Sequence, residues 1–314
     1  MLAYTLRRLL LTIPVMLLVA TGVFLLLHLT PGDPVGVMLG PDASEEQRLE
    51  MRHRLGLDRP LVVQYVDWLG RVVRGDLGTS LFLDKPVTTA LLERAQPTLM
   101  LTILASLVSL LVGLPSGVIA ARRRGSWLDL GSMAVAMLGI SMPTFWLGLN
   151  LILLFAVHLR VFPVAGYQPL SAGPWEALKY LVLPAVTLGV AQAALLARMT
   201  RSMMLEVLSQ DYVRTARAKG LNEHAVLVRH TLRNAFIPLL TVIGLIVAAL
   251  LSGAVVTEQV FNIPGVGRLL IQAIGRRDFP LVQGAVLVIS AIYVLVNLAV
   301  DLLYAVIDPR IRQA

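Results

Sequence analysis

Six stretches of this chain, residues 9–29, 98–121, 130–157, 180–197, 236–256 and 282–306, are apolar over lengths that a water-soluble fold rarely needs. A hydrocarbon layer about 30 Å thick is crossed by a helix of about 20 apolar residues. Inside lipid each segment must pair its own backbone N–H and C=O groups, so each run is read as a helix. Only 15% of the residues are charged, against about 25% in ordinary soluble domains. The expected fold class is therefore an all-α polytopic membrane protein with about six transmembrane helices. Pro115 and Pro143 fall within two runs and are expected to kink them. Pro97, Pro184 and Pro238 are expected near helix starts, where a missing N–H costs little.

The net charge of +8 would suit a nucleic-acid binder in a soluble protein. Here Lys and Arg collect at the edges of spans, which is a matter of topology, and nucleic-acid binding is not expected. Arg7/Arg8, Arg122–Arg124, the segment 198–233 and Arg310/Arg312 share one side of a six-span path. The positive-inside rule makes that side cytoplasmic, with both termini inside. Arg7 and Arg8 precede an apolar run too long for a signal peptide, so the first span is expected to be retained. The chain holds no cysteine, which excludes disulfides, thiolate-bound metal and a Cys nucleophile. The expected organisation is an N-terminal helix to residue 29, an external region 30–97, a five-helix core 98–306 containing the cytoplasmic loop 198–235, and a tail 307–314.

The external region has its own helix signals. Ser44 and Gln47 have capping-box spacing, and Gly56 is placed to end the helix they open. Pro60 opens a second helix with Leu61, Tyr65, Trp68, Leu69 and Val72 on one stripe, ending near Gly75. Such a region is either a small cap packed on the membrane part or a docking surface for an external partner.

Between the fourth and fifth runs lies a more specific pattern. Asp211 is placed to cap a short helix that ends in Arg217 and Lys219, with Gly220 as its left-handed stop. Asn222 is placed to cap a second short helix, apolar at 225–228 and closed by Arg229 and His230; Pro238 would then sit in the first turn of the next span. A helix–Gly–helix elbow of this kind suits a rigid lever seated in a groove of a cytoplasmic partner. The competing reading is a basic loop lying against anionic headgroups.

Polar groups inside spans are costly and usually face a bundle interior or a water-filled path. Asn297 and Asp301 are four apart on the last span, with Tyr293 and Tyr304 on the same stripe; Asn150 and Gln192 are further candidates for a translocation path. Asp301 as a structural ion-pair partner, and helix–helix hydrogen bonds for Asn150 and Gln192, are the plainer alternatives. His28 is read as interfacial. Close helix packing is expected where Gly and Ala concentrate, in 188–197 and 244–254.

The elbow, Tyr212-Val-Arg-Thr-Ala-Arg-Ala-Lys-Gly220 followed by Arg229-His-Thr-Leu-Arg-Asn234-Ala-Phe-Ile-Pro238, resembles the EAA loop of ABC importer permeases in the dipeptide/oligopeptide/nickel branch. Arg214-Thr215-Ala216 takes the place of Glu-Ala-Ala, and Gly220 is the motif glycine. Leu6-Arg-Arg-Leu9 with Ile13-Pro14, Thr30-Pro-Gly-Asp-Pro34, Leu55-Gly-Leu-Asp-Arg-Pro60, Arg74-Gly-Asp-Leu-Gly78, Pro264-Gly-Val-Gly-Arg268 and Asp308-Pro-Arg-Ile-Arg312 resemble B-type peptide-permease subunits in the same order.

The resemblance implies a type I importer permease of a bacterial plasma (inner) membrane. Its partners would be a homologous second permease subunit, two cytoplasmic ATPases, an external solute-binding protein and membrane lipid. It implies coupling to the ATPases through Arg214, Thr215, Ala216, Lys219, Gly220, Leu221, Asn222, Glu223, His224 and Arg229. No Gly is followed by Lys, so no Walker A loop is present; ATP and Mg are expected in the partner ATPases, with no cofactor or metal on this chain and no enzyme activity of its own. The cargo it implies is peptides or related small solutes.

Two rivals stand against this reading. Gly139-Ile-Ser141 resembles a rhomboid-type serine site, which would need a His from a neighbouring helix, and His158 lies on the same run. A secondary transporter would show internal repeats, and it would leave the elbow without a purpose.

Overall fold

The computed structural model describes residues 2–29, 34–40 and 43–307. In chain order, α1 (Leu2–Leu29) is followed by three short helices, α2 (Pro34–Leu39), α3 (Glu45–Leu55) and α4 (Leu61–Val73). Next come α5 (Val87–Arg122), α6 (Trp127–Ser141) and α7 (Thr144–Leu151), the last widened into a π-helical segment over Ile152–His158. After α8 (Pro174–Leu208) the chain forms α9 (Asp211–Ala218), α10 (Glu223–Ala225), a π-helical segment Val226–Leu232 and α11 (Arg233–Val260). The last helices are α12 (Val266–Gly275) and α13 (Phe279–Ile307). Among the described residues the β pairing is a single bridge between Thr79 and Pro86. The expected sites at His28 and Tyr304 (side chains), and the fragments 30–33 and 308–312, lie outside what is described.

Among the described residues five helices are long and apolar enough to cross a membrane, and α6 with α7 makes a sixth only as a bent pair. The run at 130–157, expected as one kinked span, is broken by 102°. The cause is local. Pro143 has no N–H to give and keeps Met142 out of the helical region (φ −78°, ψ 128°), so α6 stops there. Pro115 lies inside α5, within its span as expected. Pro97, Pro184 and Pro238 lie inside helices instead of at their starts. The apolar runs mark the hydrocarbon layer, whereas the helices begin earlier, in polar turns such as Val87–Arg94.

The chain forms two compact units, residues 97–265 with 295 onward, and residues 2–96 with 266–294. In the first, α8 is the central element and α5, α6, α7 and α11 pack around it. Small residues set the spacing. Gly113 and Gly117 of α5 lie against the backbone of Ala193 and Ala197, and Gly189 of α8 lies against the backbone of Ala105. Gly139 rests on Ala194, and Gly253 meets Leu188. Close approach of this kind drives helix association where lipid removes the hydrophobic drive, and it matches the expectation for 188–197 and 244–254.

In the second unit the capping box at Ser44/Gln47 forms, with a 3.2 Å bond from the Gln47 N–H to the Ser44 hydroxyl. Gly56 ends α3 at φ +66°. On α4, Tyr65, Trp68, Leu69 and Val72 pack toward α1, where Phe24 meets the Tyr65 and Trp68 rings at 5.2 and 5.5 Å. Leu61, expected on that stripe, is instead exposed. Asp278 caps α13 and is buried. It accepts from the Ser80 hydroxyl at 2.5 Å and from the Phe82 and Leu281 N–H groups at 3.2 Å.

Candidate functional site

The elbow between α8 and α10 forms from the residues that the sequence marks, with two differences. Gln210, not Asp211, is the N-cap residue of α9; Asp211 is the first helical residue and meets Arg214 at 3.5 Å. At the other end of α9 the Gly220 N–H donates to the Arg217 carbonyl (2.9 Å) and the Leu221 N–H to the Ala216 carbonyl (3.3 Å). That is the paired Schellman stop, and it requires Gly220 at φ +82°. Asn222 then accepts from the Ala225 N–H at 2.8 Å and starts the second arm.

The second difference is larger. No short helix closes at Arg229 and His230, because nothing between Asn222 and Pro238 breaks the backbone. α10, the π-helical segment and α11 form one helix of 38 residues, Glu223–Val260. At 1.5 Å per residue this is a rod of about 55 Å. Pro238 lies within it and not in its first turn.

Two contacts hold the arms together. Val213 and Ala216 are the buried face of α9, packed toward the π-helical segment, where Val226 and Leu227 are also buried. Across the glycine, Arg217 reaches Glu223 with Nε–Oε1 at 2.8 Å and Nη2–Oε2 at 3.4 Å. Sequence reading did not single out Val213 as a contact residue or Arg217 as the brace. Their spacing from Gly220 was the available signal. Arg214, Thr215, Lys219, Gly220, Leu221, Asn222, Glu223, His224 and Arg229 are all exposed, and Ala216 is buried. The outer surface of the elbow is thus polar and basic over an apolar underside.

A second constraint lies further up α8. Arg201 forms a bidentate pair with Asp129 of α6, Nε–Oδ1 at 2.5 Å and Nη2–Oδ2 at 2.8 Å, and the Gly125 N–H adds a bond of 2.9 Å. Asp129 is buried. The pair spans 72 residues of sequence, so no local pattern announces it.

The candidate path residues are scattered over several elements. Asn150 is exposed on α7, and its amide donates to the Trp146 carbonyl of its own helix at 2.7 Å. Gln192 is half-buried on α8. On α13, Tyr293 is exposed while Asn297 and Asp301 are half-buried. A stripe that sequence reading missed runs along α11: Thr241, Leu245, Ala249, Ser252, Val256 and Gln259 are exposed at helical spacing, opposite a buried face. It is smaller and more polar than the exposed stripe of α6, Trp127, Leu130, Val135 and Leu138. His158 is tied to its own helix through Leu153 (2.7 Å).

At the C-terminal end of α11, Glu258 is fully buried; it accepts from the Thr98 hydroxyl at 2.6 Å, and Gly265 lies directly on its carboxylate.

Comparison with known proteins supports the same class. Residues 113–313 match the family described as binding-protein-dependent transport system inner membrane component, and residues 1–81 match its N-terminal companion family. A probable peptide ABC transporter permease of Sinorhizobium fredii is 48% identical over 98% of this chain and 99% of its own length. A dipeptide transport system permease of Alkalihalophilus pseudofirmus is 42% identical over 99% of this chain and all of its own. A glutathione transport system permease of Salmonella choleraesuis is 46% identical over 99% of each chain. The fold is similar to that of a chain in the inward-facing methionine ABC transporter structure, with a TM-score of 0.58 and 20% identity, covering 70% of this chain and 97% of that one. The chain belongs to the binding-protein-dependent transport system inner membrane component family and is an ABC importer permease of type I fold.

Proposed function

We propose that this chain forms half of the membrane path of an importer for peptides or related small solutes, and that its elbow is the handle on which cytoplasmic ATPase subunits act. A homologous permease subunit would supply the other half, and an external binding protein would deliver the cargo. Nucleotide and Mg would be held by the ATPases. In this arrangement the elbow and both termini are cytoplasmic. The observation that carries the reading is the continuity of the Glu223–Val260 helix. A push on the exposed residues 214–224 would reach the α11 stripe without crossing a hinge. The Schellman stop at Gly220 and the Arg217–Glu223 brace keep the handle rigid.

The stripe Thr241–Gln259, together with Asn297 and Asp301, is the proposed water-facing lining. Polar side chains in a span usually face a bundle interior or a water-filled path and seldom lipid. Purified with its partner subunits and placed in vesicles, the complex should take up a peptide only when ATP and the loaded binding protein are both supplied. Uptake driven by an ion gradient without ATPase subunits would overturn the reading. Because the chain has no cysteine, Ser252→Cys should react with a membrane-impermeant thiol reagent and Leu138→Cys should not. Equal reactivity would contradict the assigned lining.

A further inference from the structure

Where α5 meets α6, the chain reads Arg122-Arg123-Arg124-Gly125-Ser126-Trp127. All three arginines are exposed, and none makes an ion pair among the described residues. The one acid of this turn, Asp129, is already taken. It is buried, with Arg201 on both oxygens and the Gly125 N–H on Oδ2. The turn itself is ordered by the Ser126 N–H donating to the Arg123 carbonyl (3.0 Å) and by Gly125 at φ +77°. Three positive charges are thereby held together on a fixed turn whose only acid is engaged elsewhere.

What lies beside them decides the partner. Trp127 is 77% exposed, and it heads the stripe Trp127, Leu130, Val135 and Leu138, all exposed and apolar at helical spacing. In a membrane protein such a stripe faces hydrocarbon, and a Trp at its end marks the level of the headgroups. The arginines close α5 and open the turn just before that Trp, so a Trp at the headgroup level would put them near lipid phosphate. Guanidinium groups bind phosphate oxygens through paired N–H donors, and each basic residue near an anionic surface contributes about 1 kcal/mol. A soluble protein docked here would have to cover the Trp and compete with lipid for the stripe.

We infer that Arg122, Arg123 and Arg124, with Trp127, form a binding site for the phosphate headgroup of an anionic phospholipid. The site is separate from the elbow, although the Asp129–Arg201 pair ties its turn to α8, the helix that leads into the elbow. It rests on the membrane placement of the chain and not on the proposed cargo or partners.

The test uses the assembled transporter in nanodiscs of phosphatidylcholine doped with phosphatidylglycerol. The chain would carry Trp127 as its sole tryptophan, with Trp68, Trp146 and Trp175 replaced by Phe. Brominated phosphatidylglycerol should quench Trp127 at least about twofold more than brominated phosphatidylcholine at the same mole fraction, in line with the surface attraction of a basic cluster. Arg122→Gln/Arg123→Gln should remove that preference and leave quenching by both lipids intact, since the ring stays in the membrane. Millimolar inorganic phosphate should not displace the lipid.

Equal quenching by the two lipids would overturn the site, and so would displacement by free phosphate. A Trp127 shielded from both lipids by an ATPase subunit would overturn it in favour of a protein contact. Where the Phe replacements lower the yield of complex, native mass spectrometry of the otherwise unaltered transporter reads the same quantity. Phosphatidylglycerol retained by the original chain and lost in the double Gln variant supports the site; equal retention rejects it.

Discussion

Replacing Gly220 with valine should cut peptide uptake about tenfold while the assembled complex still hydrolyses ATP. The reason is conformational and not steric. A Cβ at this position would meet nothing within 4 Å, yet the backbone sits at φ +82°. For a non-glycine residue that conformation costs about 1–2 kcal/mol, and it is worst for β-branched side chains. The valine variant relieves the strain by leaving the left-handed region. The Leu221–Ala216 and Gly220–Arg217 bonds are then lost, and the two arms change angle. The membrane part should be unaffected, because the residue is exposed and lies outside the packed core. Gly220→Asn serves as the control. Asn tolerates the left-handed region better than other residues, so it should retain most of the uptake. Uptake measured in vesicles alongside ATP hydrolysis separates uncoupling from loss of assembly; a Gly220→Val variant that transports at the original rate would refute the role assigned to the turn.

Gly117→Leu should have the opposite signature, with little folded protein recovered and no uncoupled complex. An added Cβ alone would lie 2.5 Å from the Ala197 carbonyl oxygen and 2.5 Å from the Thr200 Cβ. Backbone atoms cannot swing aside as the tip of a flexible side chain can. α5 and α8 must therefore separate, which also loosens the neighbouring contacts of Gly113 and Gly189. Overpacking a close contact costs about 1–3 kcal/mol per site, and three linked contacts share this one. Gly131→Leu on α6, where nothing lies within 4 Å, is the matched control and should be neutral. Thermal unfolding in detergent compares the two: a fall of several degrees or no soluble peak is expected for Gly117→Leu, and an unchanged transition would show the contact to be dispensable.

The sequence was most legible where a local rule suffices. Lipid forces long apolar runs into helices, so the spans could be located. Ser44, Gly56, Gly220 and Asn222 announce themselves because caps and left-handed stops depend on a few neighbouring residues. Legibility failed where packing overrides local signals. Prolines 97, 184 and 238 read as marking helix starts, yet they lie well inside helices. Only Pro143 stopped its helix. The Asp129–Arg201 and Ser80–Asp278 bonds join residues 72 and 198 apart, and each reads alone as an ordinary polar residue.

The elbow is recognisable from its residues, but its mechanics are not. The sequence predicts two short helices with a further break before the span. The stretch between 222 and 238 holds no Gly or Pro, a signal outweighed by the apparent closing residues Arg229 and His230. The continuous rod strengthens the lever reading, since it removes a joint at which movement could be lost.

Because the chain has no native cysteine, one reporter can test the central claim without background. Lys219→Cys stands at the exposed tip of α9, beside the glycine stop. In membranes containing the assembled transporter, a short reagent with one thiol-reactive and one photoreactive end should join this cysteine to the ATPase subunit, with a yield that changes when ATP is bound. Reaction of the same cysteine with an impermeant reagent from outside intact cells, or no crosslink to any nucleotide-hydrolysing subunit, would contradict the account.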